Sequence, residues 1–136
     1  MRIFLDANIL FSAAKSDGTV RRLLQLLLDA GHECWVDGYV TEEARRNLAV
    51  KALGSDAALH ALLPKMKVAD LHPSGPAPDS LLALVEKDRP VLAAAIRSGC
   101  DALVTGDRAH FGRFYGKTLA GVAIHSPRSL AQMLLK

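Results

Sequence analysis

Four acids in this chain, Asp6, Glu43, Asp88 and Asp107, stand at places where carboxylates can do chemistry. Asp6 and Asp107 follow apolar, strand-like runs at residues 3–5 and 102–105. Glu43 falls in the first turn of a helical segment expected from residue 42, and Asp88 opens another before Arg89-Pro90. In an open α/β sheet, ligands bind beyond the carboxyl ends of the strands. The helix that follows a strand begins at that same rim, so the four carboxylates are expected to converge there.

Such convergence has a chemical meaning. Two like charges 4 Å apart repel by about 4 kcal/mol at an effective dielectric near 20. A group of four is tolerable only if some members are protonated or a cation neutralises them. No Cys or His pair at metal-ligand spacing accompanies these acids, so the donors are oxygens. That set suits Mg²⁺ or Mn²⁺ rather than Zn²⁺. An ion held this way keeps several waters and suits phosphate chemistry. Each acid also has a plainer duty: Asp6 and Asp107 as helix N-caps, Glu43 and Asp88 as first-turn acids favoured by the helix dipole. The shared rim is what favours a site, and capping does not exclude metal binding.

The elements that would position these acids can be read in order. Residues 3–5 make a short buried strand and residues 9–14 a first helical piece. Thr19 is expected to cap a helix over 20–30, with Leu23, Leu24, Leu27 and Leu28 at helical spacing and Gly31 closing it. A strand over 33–37 and a helix over 42–52 follow. Ser55 or Asp56 caps another helix that Pro64 closes, and 68–71 reads as a short strand. Residues 72–79 hold three prolines and read as the clearest loop. Residues 81–85 read as helical, and the helix opened by Asp88 ends at Gly99. Strands over 102–105 and 122–124 complete the pattern, with Ser126-Pro127 starting a final helix whose Leu130, Met133 and Leu134 point inward. The alternation predicts a three-layer α/β/α sandwich around a central, mostly parallel sheet.

Composition sets bounds on this reading. At 136 residues and 50% hydrophobic, the chain fits one domain, 1–136, with a mostly aliphatic core, since only 5% is aromatic. Lys+Arg number 17 against 14 Asp+Glu, a formal +3 that permits a nucleic-acid partner without demanding one. Cys34 and Cys100 lie in no metal-like spacing and read as buried, reduced thiols. No signal-like segment or long apolar run is present, which points to a soluble, cytoplasmic protein without a membrane partner. There is no GxSxG, Walker lysine loop or GxGxxG. Asn8 stands where an Asp-x-Asp phosphatase needs its second Asp, and paired early acids of a phosphoacceptor domain are missing.

The chain resembles the PIN domain, a family of Mg²⁺/Mn²⁺-dependent ribonucleases, over nearly its whole length. Ile3-Phe4-Leu5-Asp6-Ala7-Asn8-Ile9-Leu10 is similar to the family's first motif, apolar-apolar-Asp-x-Asn. Thr41-Glu42-Glu43-Ala44-Arg45-Arg46-Asn47-Leu48 is similar to the second, with Glu43 on the ligand position. Asp88-Arg89-Pro90-Val91-Leu92-Ala93-Ala94-Ala95-Ile96 and Gly99-Cys100-Asp101-Ala102-Leu103-Val104-Thr105-Gly106-Asp107 resemble the third and fourth in order and spacing.

The resemblance implies cleavage of single-stranded RNA by metal-activated water, leaving a 5′-phosphate. Asp6, Glu43 and Asp88 would be the core metal ligands, and Asp107 would complete the site or bind a second metal. Asn8 and Thr105 would support the ligands or touch phosphate. Arg45, Arg46, Arg89 and Arg108 lie near the rim and could meet RNA phosphates, although a solvated face explains any one of them. Many bacterial members are toxins of toxin–antitoxin pairs and many dimerise, so an antitoxin protein and a homodimer partner come with the resemblance. The leucine-rich face at 23–28 is a pairing candidate, with core burial its default role. Two positions stay open. Neighbours on a helix point about 100° apart, so only one of Glu42 and Glu43 can face inward. Some family members carry the fourth acid just before a Phe, and here that place is His110, before Phe111. His110 could tune the site or act on a proton, while an exposed helix residue is its plainer reading. The alternative function is a catalytically silent PIN fold that binds RNA or protein.

Overall fold

A computed structural model describes residues 1–69 and 88–135. The chain runs β1 (Arg2–Leu5), α1 (Ala7–Lys15), α2 (Thr19–Asp29), β2 (Glu33–Val36), α3 (Gly38–Lys51), α4 (Asp56–Leu62) and β3 (Lys67–Val68). It continues with α5 (Arg89–Arg97), β4 (Ala102–Val104), α6 (Arg108–Phe111), β5 (Thr118–Leu119), β6 (Val122–His125) and α7 (Pro127–Leu134). The loop expected over 72–79 and the helix expected over 81–85 lie outside the described residues, as do the last residues of the strand expected over 68–71.

The six strands form one sheet in the order β3-β2-β1-β4-β6-β5. Every pairing is parallel except β5 with β6. This is the mostly parallel α/β architecture that the alternation of elements predicts. The chain steps outward from β1 through β2 to β3, then returns to the other side of β1 at β4. Helices α1 to α4 pack on one another as one layer. The return reverses the direction of travel along the sheet. The point where the order reverses lies between β1 and β4, where an open parallel sheet leaves a crevice at its carboxyl rim.

The reasons for these elements are local. Ile3, Phe4 and Leu5 are wholly buried because both faces of β1 are covered. Leu23, Leu24 and Leu27 of α2 are buried, while Leu26 is 42% exposed, so the leucine-rich face belongs chiefly to the core. Helices α2 and α5 end with glycines at positive φ, Gly31 (88°) and Gly99 (67°). There the amides of Gly31 and His32 return to Leu28 and Leu27, and those of Gly99 and Cys100 to Ile96 and Ala95. A residue with a Cβ disfavours that left-handed turn.

Several boundaries differ from the sequence expectation. Helix α2 starts at Thr19, with Gly18 rather than Thr19 at the cap. Helix α3 begins at Gly38, not at residue 42, because the Asp37 side chain accepts from the Val40 amide and caps it. Glu43 therefore stands in the second turn, beyond the reach of the dipole argument. Strand β5 was not expected; it is two residues long and antiparallel. Met133 is 42% exposed, because α7 buries Leu130 and half-buries Leu134 but turns its third apolar residue to the side. Cys34 and Cys100 are buried and unbridged, and burial pushes both thiols up to about 12. Among the described residues no helix is long and apolar enough to cross a membrane.

Candidate active site

Asp6, Glu43, Asp88 and Asp107 line one cleft of roughly 130 Å³, together with Asn8, Tyr39, Asn47 and Val91. Each acid arrives on a different element. Asp6 closes β1 and caps α1, its Oδ1 accepting from the Ala7 amide at 2.7 Å. Its own amide donates to the Val104 carbonyl, which ties it to the end of β4. Glu43 reaches in from α3. Asp88 occupies the cap position of α5, but its side chain makes no capping bond there. Asp107 caps α6 by accepting from the His110 amide at 3.2 Å.

A small polar frame fixes the floor of the cleft. The buried Thr105 hydroxyl donates to Asp6 Oδ2 at 2.7 Å. The same oxygen accepts from Asn8 Nδ2 (3.3 Å) and from the Asp107 amide (3.1 Å). Asn8 also donates to Asp6 Oδ2 at 3.2 Å and accepts from the Gly106 amide at 2.8 Å. The Tyr115 hydroxyl donates to the Thr105 carbonyl at 2.8 Å and anchors the chain beyond α6. Two strand ends are thus joined through one hydroxyl and one amide, which sets the separation of Asp6 and Asp107.

The electrostatics follow from this crowding. Burial raises the Asp6 carboxyl above its ordinary value; bonds from Thr105 and Ala7 pull it down, and the charges of Glu43 and Asp88 push it further up. The Tyr39 phenol is raised by burial first and then by Glu43 and Asp88. Among the described residues no lysine or arginine lines the cleft. At its Asp88–Asp107 end stands His110, whose Nδ1 lies 2.8 Å from Asp88 Oδ2 and 3.0 Å from Asp107 Oδ2.

The other sequence candidates fall around this centre. Glu42 is exposed and paired with Arg45, so in this geometry Glu43 is the member of the pair that faces the cleft. That pairing also engages Arg45. Arg46 lies close enough to act on the Tyr39 phenol. Arg108 is exposed beside Asp107, and Arg89 is half-buried beside Asp88. Sequence reasoning missed Tyr39 and Asn47, which line the cleft, and Tyr115, which props Thr105. Asn47 stands four residues after Glu43, on the same helix face, and that spacing was the available signal. Tyr115 gave none, because its contact depends on the turn after α6.

The residues present fit a divalent cation. Asp88, Asp107 and His110 each bring one donor atom to a common point, all within 4.8 Å of one another. Asp6 and Glu43 face the same cleft with oxygen donors.

Comparison with known proteins agrees with the fold. A family model described as the PIN domain matches residues 2–109, and the chain belongs to that family. Among solved structures, it is similar to VapBC2 from Rickettsia felis bound to a DNA fragment from its promoter. That likeness has a TM-score of 0.64 at 15% identity and covers 93% of this chain and 98% of the other. VapBC-1 from nontypeable Haemophilus influenzae gives 0.59 at 13% identity, over 94% and 99%. FitAB bound to an IR36 DNA fragment gives 0.56 at 17%, over 92% and 94%. At these identities the likeness establishes the fold. No curated protein matches the chain.

Proposed function

We propose that this PIN-domain protein is a metal-dependent endoribonuclease that cuts single-stranded RNA, with Asp6, Glu43, Asp88 and Asp107 as its metal ligands. The observation that carries the proposal is the meeting of these four carboxylates, from four separate elements, in one cleft. Such a group stabilises nothing by itself, since like charges at these separations repel. It is reasonable only as a holder of cations.

The four acids would hold Mg²⁺ or Mn²⁺, which when bound lowers the pKa of a coordinated water and shields a phosphodiester's charge. The chain's own residues do the rest. Thr105 and Asn8 lock the rotamer of Asp6, so its oxygens need no reordering on binding. Arg46, Arg89 and Arg108, on the helices that carry or follow Glu43, Asp88 and Asp107, would supply positive charge for RNA phosphates. The open cleft admits an extended single strand more readily than an A-form duplex, whose bases are stacked inward. The VapBC and FitAB likenesses support an antitoxin protein as the partner that restrains the activity, and a homodimer is carried over from the family resemblance alone.

The test is cleavage of an end-labelled single-stranded RNA in Mn²⁺, in Mg²⁺ and in EDTA. Cutting that needs the metal and leaves 5′-phosphate ends is the expected result. Binding without cutting under every condition would overturn it in favour of a silent RNA-binding module.

A further inference from the structure

We propose that His110 is a nitrogen ligand of the metal site, and that it biases the site toward Mn²⁺ over Mg²⁺. The inference rests on the metal-site reading above and adds a donor that the acid motifs do not include. Three observations support it.

The first is distance. His110 Nδ1 lies 2.8 Å from Asp88 Oδ2 and 3.0 Å from Asp107 Oδ2. Adjacent donors around an octahedral ion with bonds near 2.1 Å sit about 3.0 Å apart. Around a tetrahedral ion of the same bond length they sit about 3.4 Å apart. The observed spacings are those of a close His–carboxylate pair and are compatible with the octahedral edge of Mg²⁺ or Mn²⁺.

The second is direction. His110 Nδ1 is shielded from solvent, yet neither close approach is aligned as a hydrogen bond. With the ring protonated these contacts are ion pairs; with the ring neutral, the same nitrogen, held between two carboxylates, can offer its lone pair to an ion they share.

The third is how the ring is held. Asp107 Oδ1 accepts from the His110 amide, which leaves Oδ2 of the same carboxylate facing the ring. Phe111, the next residue, is fully buried and pins α6 against the core. Asp107 and His110 are therefore presented together, from the same turn, toward Asp88 on α5.

Imidazole separates the two metals chemically. Mg²⁺ is a hard ion that prefers oxygen donors, whereas imidazole nitrogen suits transition metals. A site of carboxylate oxygens plus one imidazole should gain more for Mn²⁺ than for Mg²⁺.

The test uses the whole protein, with each ion alone as the probe. Calorimetric titrations with MnCl₂ and MgCl₂ are run on wild type and on His110→Gln, with a melting curve for each. Pulsed EPR of the Mn²⁺ complex is recorded for both, and for wild type grown on histidine carrying heavy nitrogen. The expected spectrum shows nitrogen modulation in wild type that changes with the isotope and is lost in His110→Gln. The variant's Mn²⁺ affinity should fall about tenfold or more, the scale at which support of a metal ligand matters, while its Mg²⁺ affinity changes less than about threefold. The isotope experiment decides whether a histidine is bound even if that variant folds poorly, and His110→Asn, a second variant recorded in the same way, then assigns the nitrogen to His110. Mn²⁺ binding without nitrogen modulation would overturn the inference, as would modulation that survives in a folded His110→Gln; both leave the carboxylate site standing. Equal weakening of the two ions would overturn the metal preference. Binding of neither ion by wild type would overturn both this inference and the proposed function.

Discussion

The two rims of the same sheet handle charge in opposite ways. At the amino rim, where β1, β2 and β4 begin, each charge meets a complement. The Arg2 amide donates to Asp101 Oδ2 at 2.8 Å, its guanidinium donates to the Ser98 carbonyl at 3.0 Å, and its Nε lies 3.6 Å from Glu33 Oε1. Trp35 donates to Glu33 and lies under the Arg2 guanidinium, 5.0 Å from ring centre to charge. At the carboxyl rim, acids face acids across a cleft that, among the described residues, no lysine or arginine lines. The strands are the same and the supporting core is continuous. A rim evolved only for stability would resemble the first. The second crowds carboxylates together, which helps to raise the Asp6 carboxyl, and a cation at the proposed metal site would relieve that repulsion.

The comparison can be broken most sharply by neutralising the carboxyl rim. Asp6→Asn or Asp88→Asn should cut RNA cleavage by more than about a hundredfold, since a catalytic ion supplies several kcal/mol of transition-state stabilisation. Both variants should keep a cooperative melt. Activity near that of wild type in either would move the site elsewhere.

Thr105 tests the frame rather than the charges. Thr105→Val keeps the shape but removes the hydroxyl shared by Asp6, Asn8 and the Asp107 amide. It should cost about 1–3 kcal/mol in a urea melt, because buried groups lose their partner. Cleavage should fall as well, since Asp6 and Asp107 lose their common anchor. A stable variant with wild-type activity would show that the frame does not position the acids.

Acidity offers a gentler probe. With burial as the main cause and Glu43 and Asp88 adding to it, Asp6 in the folded protein holds its proton above its ordinary value of 3.8. The folded state then binds that proton more tightly than the unfolded state does. The resulting stability is complete below the unfolded value and is lost as pH rises through the raised folded one. In EDTA, wild type should show this fall as pH rises above the ordinary value of 3.8, and Asp6→Asn should lack the Asp6 part of it. Identical pH profiles would mean that Asp6 is not crowded. The smallest effect belongs to the amino rim. Glu33→Gln breaks an exposed pair and should cost less than about 1 kcal/mol while leaving cleavage unchanged.

The same contrast governs how much could be read from the sequence. The architecture was legible because buried parallel strands are continuous apolar runs, as at Ile3–Leu5 within β1 and at β4, and because Asp6 and Asp107 follow them directly. The convergence of acids was legible for the same topological reason. The start of α3 was not. Gly38-Tyr39-Val40-Thr41 carries glycine and β-branched residues that disfavour helix, and only the Asp37 cap and packing override that preference. Helix periodicity alone could not choose between Glu42 and Glu43; the choice depends on how α3 is rotated against α1, which places Glu42 beside Arg45 in solvent. His110 read as an exposed helix residue because its neighbours across the cleft, Asp88 above all, come from a distant segment. Charge complementarity at the amino rim was equally hidden, since Arg2, Ser98 and Asp101 meet only once β1 and β4 pair.

The most direct measurement is a thermal melt of wild type and Asp6→Asn, each in EDTA and in Mn²⁺, at neutral pH. If the carboxyl rim is a cation site, Mn²⁺ at about a hundred times its Kd should raise the wild-type Tm by roughly 5 °C or more. In EDTA, Asp6→Asn should melt at or above wild type, because one repelling charge is gone, and it should gain less from the ion. A metal-free Asp6→Asn that melts well below wild type, with Mn²⁺ moving neither protein, would contradict this. Asp6 would then be a structural cap, and the meeting of acids at this rim would have no cation to hold.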